Sequence, residues 1–205
     1  GCDSLRMYEL FVGPPELDAE WDDRGIDGVN RFLKRLWNLL MESKDQDVKA
    51  TKEMIKLRNR MVYDITTRLE SFSLNTVISG FMEYNNKMIE LAKKEGIDKE
   101  TLETAVILLA PFAPHLSEEL WQQLGHTESV FKNTWPEHDE EAMKDDEVEV
   151  PVQINGKTKI VISIPADISK EDAIAKGKEA LGDTLTGNII KEIYVPGRII
   201  NIVMK

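Results

Sequence analysis

The sequence is short of the residues that most often carry chemistry. Its 205 positions hold one cysteine, Cys2, and three histidines, His115, His126 and His138. A lone cysteine excludes an intrachain disulfide and suits a reducing compartment. No histidine has a second at the i+3 or i+4 spacing that sets two metal ligands on one helix face. Neither a P-loop nor Gly-x-Ser-x-Gly occurs, and no glycine-rich loop joins a strand-like stretch to a helix-like one. The adjacent carboxylates Glu118-Glu119 and Glu140-Glu141 share one element each, whereas acid–base pairs converge from separate elements. No apolar run approaches the ~20 residues of a bilayer span, and no signal-peptide pattern, internal repeat or low-complexity tract is present. The expectation is therefore a stretch with no catalytic and no metal-binding residue, not itself an enzyme, in which His115 serves a structural role at a helix start. The opening Gly1-Cys2-Asp3 fits an excised piece of a longer chain, and a cloning scar would look the same.

What is present is charge, unevenly placed. The net charge is −11, from 26 Lys and Arg against 37 Asp and Glu. Residues 147–205 hold 8 of each sign, so residues 1–146 carry 18 basic and 29 acidic groups and the entire excess. Bulk charge of this sign does not select a nucleic-acid binder, so any RNA contact must come from a local basic face working against the overall field.

From residue 3 to about 125 the hydrophobic period is helical. Val29, Phe32, Leu33, Leu36, Trp37 and Leu40 form one stripe. A helix is predicted from about Val48 to Leu69, with Met54, Met61, Ile65 and Leu69 inward. Ser73 is placed as the cap of the next, which runs to Gly96 with Leu74, Val77, Ile78, Phe81, Met82, Met88 and Ile89 inward. Asp98 caps a fifth, with Leu102, Ala105, Val106 and Leu109 inward. Pro111 and Pro114 break it, and a further helix restarts on Ser117-Glu118-Glu119, bears Leu116, Leu120, Trp121 and Leu124, and stops at Gly125. A short helix occupies the first ~12 residues before Gly13-Pro14-Pro15, and short loops between the rest imply an up-and-down bundle.

Glu137–Asp146 is acidic, poor in apolar residues and read as a solvated linker. Beyond it the period becomes two. Val148, Val150, Val152 and Ile154 alternate with polar residues, Asn155-Gly156 signals a hairpin, and Ile160, Ile162 and Ile164 alternate back. Ser169 caps a helix to about Leu181, and strands follow at Ile189–Val195 and Ile199–Met204. The expected class is α+β: a mostly α-helical bundle followed by a small β-β-α-β-β domain.

Two basic constellations stand out. Arg31, Lys34, Arg35 and Asn38 lie opposite the Val29–Leu40 stripe, where a phosphate backbone would bind; simple solvation of an amphipathic helix gives the same pattern. The second is the hairpin tip Asn155-Gly156-Lys157 with Lys159, joined by Arg198 in the last turn, which suits contact with an RNA surface by shape. Lysines that keep strands soluble are the plainer explanation. Tyr194 and Trp135 present rings that could stack on bases, and core packing is the expectation for both.

The segment Gly1–Pro14 is similar to the one that follows the Lys-Met-Ser-Lys-Ser loop of leucyl-tRNA synthetases. Glu20-Trp21 through Gly28, Arg31-Phe32-Leu33, Arg35-Leu36-Trp37, the Ala110–Gly125 hairpin and Trp135-Pro136 continue the match in order. Val152–Lys157 and Val195–Val203 then resemble the bacterial-type C-terminal domain. The resemblance covers essentially the whole chain, and the small terminal domain separates it from the isoleucyl and valyl enzymes. It implies that residues 1–28 end the stem-contact region, 29–136 form the anticodon-binding helical bundle, 137–146 link, and 147–205 form the C-terminal tRNA-binding domain. It further implies that Arg31, Lys34, Arg35 and Asn38 approach stem phosphates, while Asn155, Lys157, Lys159 and Arg198 approach the tRNA elbow. The partner would be tRNA(Leu), with the catalytic and editing domains upstream in the same polypeptide. ATP and Mg²⁺ would bind in the parent enzyme and no cofactor in this stretch; the setting would be cytoplasmic, with no membrane, and monomeric. The alternatives are a piece of an isoleucyl- or valyl-tRNA synthetase, or a non-catalytic RNA adaptor or protein-interaction module.

Overall fold

The computed structural model describes residues 1–14, 17–18, 20–144, 147–185 and 187–205, without the side chains of Asp23 and Asp183. The chain divides into two compact units, Gly1–Met143 and Lys144–Lys205. Among the described residues it is α+β, with seven α-helices and one four-stranded sheet.

The first unit contains six helices: α1 (Cys2–Phe11), α2 (Asp23–Ser43), α3 (Lys52–Glu70), α4 (Leu74–Glu95), α5 (Lys99–Leu109) and α6 (Pro114–Gln123). Asp22 opens α2 by accepting a 3.0 Å bond from the Arg24 amide. The Arg24 guanidinium bonds the same carboxylate and, with that amide, holds its pKa below the usual value. The start of α2 lies so close to α1 that a Cβ on Gly25 would fall 2.4 Å from the Tyr8 ring; only glycine fits there.

Two helix starts and one cap differ from the sequence expectation. Helix α3 begins at Lys52, capped by Thr51, and not at Val48. Val48 instead packs beside Gly96 at the end of α4, where an added Cβ would meet its Cγ2 at 2.7 Å. Ser73 occupies the cap position of α4, but its side chain makes no capping bond; its carbonyl accepts from Thr76 and Val77. Helix α6 starts at Pro114 and not at Ser117. Proline suits that first position, because the N–H it lacks would have no intrahelical partner. At the other end Gly125 and His126 donate back to Gln122 and Trp121, closing the helix.

The stripes read from the sequence form one core. Val29, Phe32, Leu36 and Leu40 of α2, Met61 and Ile65 of α3, Val77, Ile78 and Phe81 of α4, and Leu102, Val106 and Leu109 of α5 are all buried. The described part of the segment expected to be a solvated linker does not stand free. Just before it Trp135 donates its indole N–H to Thr66 at 2.9 Å, and within it His138 packs edge-on against Tyr63. The Asp139 amide donates to Asn59 at 2.7 Å, and Arg60 donates to the Met143 carbonyl at 3.1 Å. Backbone groups and single rings make these contacts along α3, so the polarity of the segment's side chains did not announce them. The expected linker's last two residues, Asp145 and Asp146, and Pro15 of the first chain break, lie outside the described residues.

The second unit is β1 (Glu147–Ile154), β2 (Lys157–Pro165), α7 (Lys170–Leu181), β3 (Ile189–Val195) and β4 (Ile199–Met204). The sheet order is β2-β1-β4-β3, antiparallel except for the central β1/β4 pair. Ser169 caps α7, accepting from Asp172 at 3.1 Å. The helix covers one sheet face, burying Val150, Val152, Ile164, Ile200 and Ile202 with Ala173 and Leu181.

Candidate nucleic-acid interface

At 100° per residue, Arg31, Lys34, Arg35 and Asn38 fall within about a quarter-turn of the α2 circumference, and all four are exposed. Behind them Val29, Phe32, Leu33 and Leu36 are buried, so packing fixes which way this face points. The distinguishing feature is what the cations do not touch. Several other basic groups of the first unit are neutralised: Arg58 pairs with Asp98 and Glu100 at 3.3 and 2.7 Å, Lys94 with Glu53 at 2.8 Å, Lys99 with Glu103, and Arg68 with Glu83. Among the described residues no carboxylate or other hydrogen-bond partner engages Arg31, Lys34, Arg35 or Asn38. A unit with surplus acid has left three charges open side by side on one face.

Two grooves flank the row. Arg35 and Asn38 form one wall of a cavity of about 400 Å³ between α2 and α4, with Lys93 on the other wall. Lys34 borders a second, of about 460 Å³, walled by α1 and α6. Lys93 also lacks a partner among the described residues, and sequence reasoning missed it. Its neighbour Lys94 is spent on Glu53, and no sequence signal tells the two lysines apart.

The second constellation is partly dispersed. Asn155 and Gly156 adopt φ of 49° and 79°, the left-handed pair of a tight hairpin turn. Both ends of the Asn155 amide bond the Met204 main chain, at 2.8 and 3.1 Å, which commits that side chain to the sheet. Lys157 and Lys159 are exposed and unpaired, and a bulge opposite Val152/Gln153 sets them on either side of Thr158. Arg198 does not join them. Because β4 runs parallel to β1 with Val152 level with Ile200, Arg198 sits level with Val150. That places it roughly 15–20 Å along the strand from the tip, at about 3.3 Å per residue. The expected grouping of Arg198 with the hairpin lysines is corrected by this pairing.

Each histidine has a side-chain partner within the first unit. His115 Nδ1 lies 2.8 Å from the buried Asp3 carboxylate, which also accepts the Leu116 amide at 2.7 Å, tying α1 to α6. His126 stacks on Trp121 at 3.7 Å and reaches Glu103. Trp135 is bonded to Thr66 and Tyr194 packs against the second core. Among the described residues no three His, Cys, Asp or Glu side chains gather closely enough to hold a metal ion, and no helix is long and apolar enough to cross a membrane.

A family model described as the anticodon-binding domain of tRNA ligase matches residues 51–174. The chain belongs to that family. Over its whole length it is 43% identical to the leucine–tRNA ligase of Fervidobacterium nodosum and 43% identical to that of Parabacteroides distasonis, covering 27% and 22% of those proteins. Identity to the leucine–tRNA ligase of Thermotoga maritima is 40%, over 27% of its length. The chain thus spans about a quarter of the curated relatives it matches. Among solved structures it resembles a LeuRS–tRNA–LeuAMS ternary complex from Agrobacterium radiobacter with a TM-score of 0.78 and 28% identity, covering all of this chain and 28% of that one. The match from 51 to 174 crosses from the first unit into the second, while the Arg31–Asn38 face of α2 precedes it.

Proposed function

We propose that this chain is the tRNA-binding portion of a leucine–tRNA ligase. It positions tRNA(Leu) for ATP-dependent aminoacylation performed by catalytic domains, accompanied by an editing domain, upstream in the same polypeptide. The observation that carries the reading is the row of unpaired cations on α2, in a unit where several other basic groups are neutralised. Similarity to leucine–tRNA ligases along the whole of this chain supports leucine tRNA as the RNA. Arg31, Lys34 and Arg35 meet stem phosphates, with Asn38 donating beside them; Lys157 and Lys159 form a second contact, with Arg198 a separate third. Residues 1–28 end the stem-contact region, 29–136 are the anticodon-binding bundle, 137–146 connect, and 147–205 are the C-terminal tRNA-binding domain. Leucine, ATP and Mg²⁺ belong to the upstream domains, and no chemical step is assigned to residues here. The contribution is positional, since holding the acceptor end in reacting geometry is itself a large part of catalysis. The setting is cytoplasmic and the protein monomeric.

Titration of the chain into labelled leucine tRNA at ~50 and ~200 mM salt tests this. Three neutralised phosphates weaken binding by roughly 20–40-fold across that range. A folded sample that binds no tRNA at the lower salt would sink the reading and leave a protein-interaction module in its place.

A further inference from the structure

We infer that the groove between α2 and α4, which opens from the Arg35–Asn38 end of the α2 phosphate track, is a subsite for one unstacked RNA nucleotide. The inference rests on the RNA-binding reading and adds a ligand class to it. Arg35 and Asn38 rise from one wall and Lys93 from the other, while Leu39, Ile89 and Ala92 supply an apolar floor between them. Leu39 is buried and Ile89 and Ala92 are half-buried, so the floor belongs to the folded core and is present before any ligand arrives.

Size and charge select the occupant. Packed helices stand ~8–10 Å apart, too close to admit a duplex, and a cavity of about 400 Å³ is at the small end of ligand sites. Two unpartnered cations from different helices suit a phosphate bridging the walls. A base then lies over the aliphatic floor, with the Asn38 amide able to donate and accept at its edge. Glu42 also lines the groove and accepts from a base amino group or a ribose hydroxyl. Gln46 is held by a 2.8 Å bond to the Glu42 carbonyl and fixes that part of the lining. Unstacked nucleotides are the form in which proteins recognise RNA one base at a time.

The test uses the whole chain and two fluorescein-labelled RNA duplexes of one sequence, fully paired or carrying a three-uridine bulge. The bulged duplex is expected to bind about tenfold more tightly, the scale of one stacked base. Ala92→Trp fills the groove without touching a charge; it is expected to erase that preference and leave the paired duplex within twofold. Lys93→Glu is expected to erase it too, whereas Arg31→Glu weakens both duplexes alike. A thermal melt by circular dichroism confirms that each variant is folded. Equal affinity of the wild type for the two duplexes, or a preference that survives Ala92→Trp, overturns the subsite. If leucine tRNA still binds in that case, the subsite alone has failed; if no RNA binds, the functional reading has failed with it.

Discussion

The two units solve the same problem with different resources. The bundle gathers 29 buried hydrophobic residues into one core and can afford to leave partly exposed rings and a charged surface around it. Among the described residues, the core cluster of the terminal domain holds seven, from one sheet face and one helix. Charge runs the other way. The bundle side holds the whole acidic excess and ties up cations such as Arg58, Arg68, Lys94 and Lys99 in ion pairs, so three open positive groups on one face of α2 stand out. The terminal domain is charge-balanced, and among the described residues Lys157, Lys159, Lys170, Lys176, Lys191 and Arg198 are all without a carboxylate partner. An unpaired cation is therefore informative in the first unit and ordinary in the second.

The largest expected effect breaks the comparison at the core. Ile200 is fully buried in β4 and lies against Gly177 of α7 and Val152 of β1. Ile200→Ala should cost about 2–5 kcal/mol, more than a ~60-residue domain can readily lose. Leu109→Ala removes similar area from the larger core and should leave the bundle folded. Hydrogen exchange followed across both units reads the contrast: protection should vanish from β1 and β4 in the first variant and persist in α4 and α5 in the second. The opposite pattern would mean that core size does not set the margin.

Legibility in the sequence followed the same divide between local and non-local causes. The α2 stripe, the Asp98 cap and the Asn155-Gly156 turn are written in residues a few positions apart, and the structure has them where the periodicity put them. The start of α6 was misplaced because proline reads as a breaker until the missing N–H is counted at a first position. The docking of Trp135–Met143 was invisible because its partners Asn59, Arg60, Tyr63 and Thr66 lie about 70–80 residues earlier. Arg198 was grouped with the hairpin because a parallel β1/β4 pair between distant strands has no local signature. The α2 face was legible as a set of residues. That its charges are unpaired, which gives it weight, was not, since Arg58, Arg68 and Lys94 find their acids on other helices and local spacing does not foretell such pairs.

The next effect falls on binding. Arg31→Glu with Arg35→Glu should weaken leucine tRNA about tenfold or more and lower the salt slope by about 2. Lys170→Glu with Lys176→Glu, equally unpaired but on α7 away from the hairpin tip, should change it by less than about twofold. Equal losses would mean that the protein responds to total charge and not to the α2 face.

A smaller effect sits inside the bundle. Tyr84 is buried and donates to Asp64 across α3 and α4; burial first, then that bond, raises its pKa above the ordinary value near 10. A raised folded pKa contributes stability that is fully present below the unfolded pKa and is lost as pH rises through the folded one. Unfolding midpoints should therefore fall as pH rises above about 10, and less steeply in Tyr84→Phe. At pH 7 the same variant should cost about 1 kcal/mol. A pH dependence identical to wild type would locate the alkaline loss elsewhere.

The smallest effect sharpens the correction in the terminal domain. If Lys157 and Arg198 shared one patch, reversing both would cost less, or more, than the sum of the single changes, because each would alter the field at the other's phosphate. Separation by roughly 15–20 Å along the strand exceeds the Debye length of ~8–10 Å near physiological salt, so the two should act independently. A double-mutant cycle of Lys157→Glu and Arg198→Glu on leucine tRNA affinity should close within about 0.3–0.5 kcal/mol. The pair Lys157→Glu and Lys159→Glu, on either side of Thr158 in β2, should miss additivity by more than that. Coupling at Arg198 as large as at Lys159 would mean that the RNA bridges the two ends of the sheet, joining through the ligand what the β1/β4 pairing holds apart.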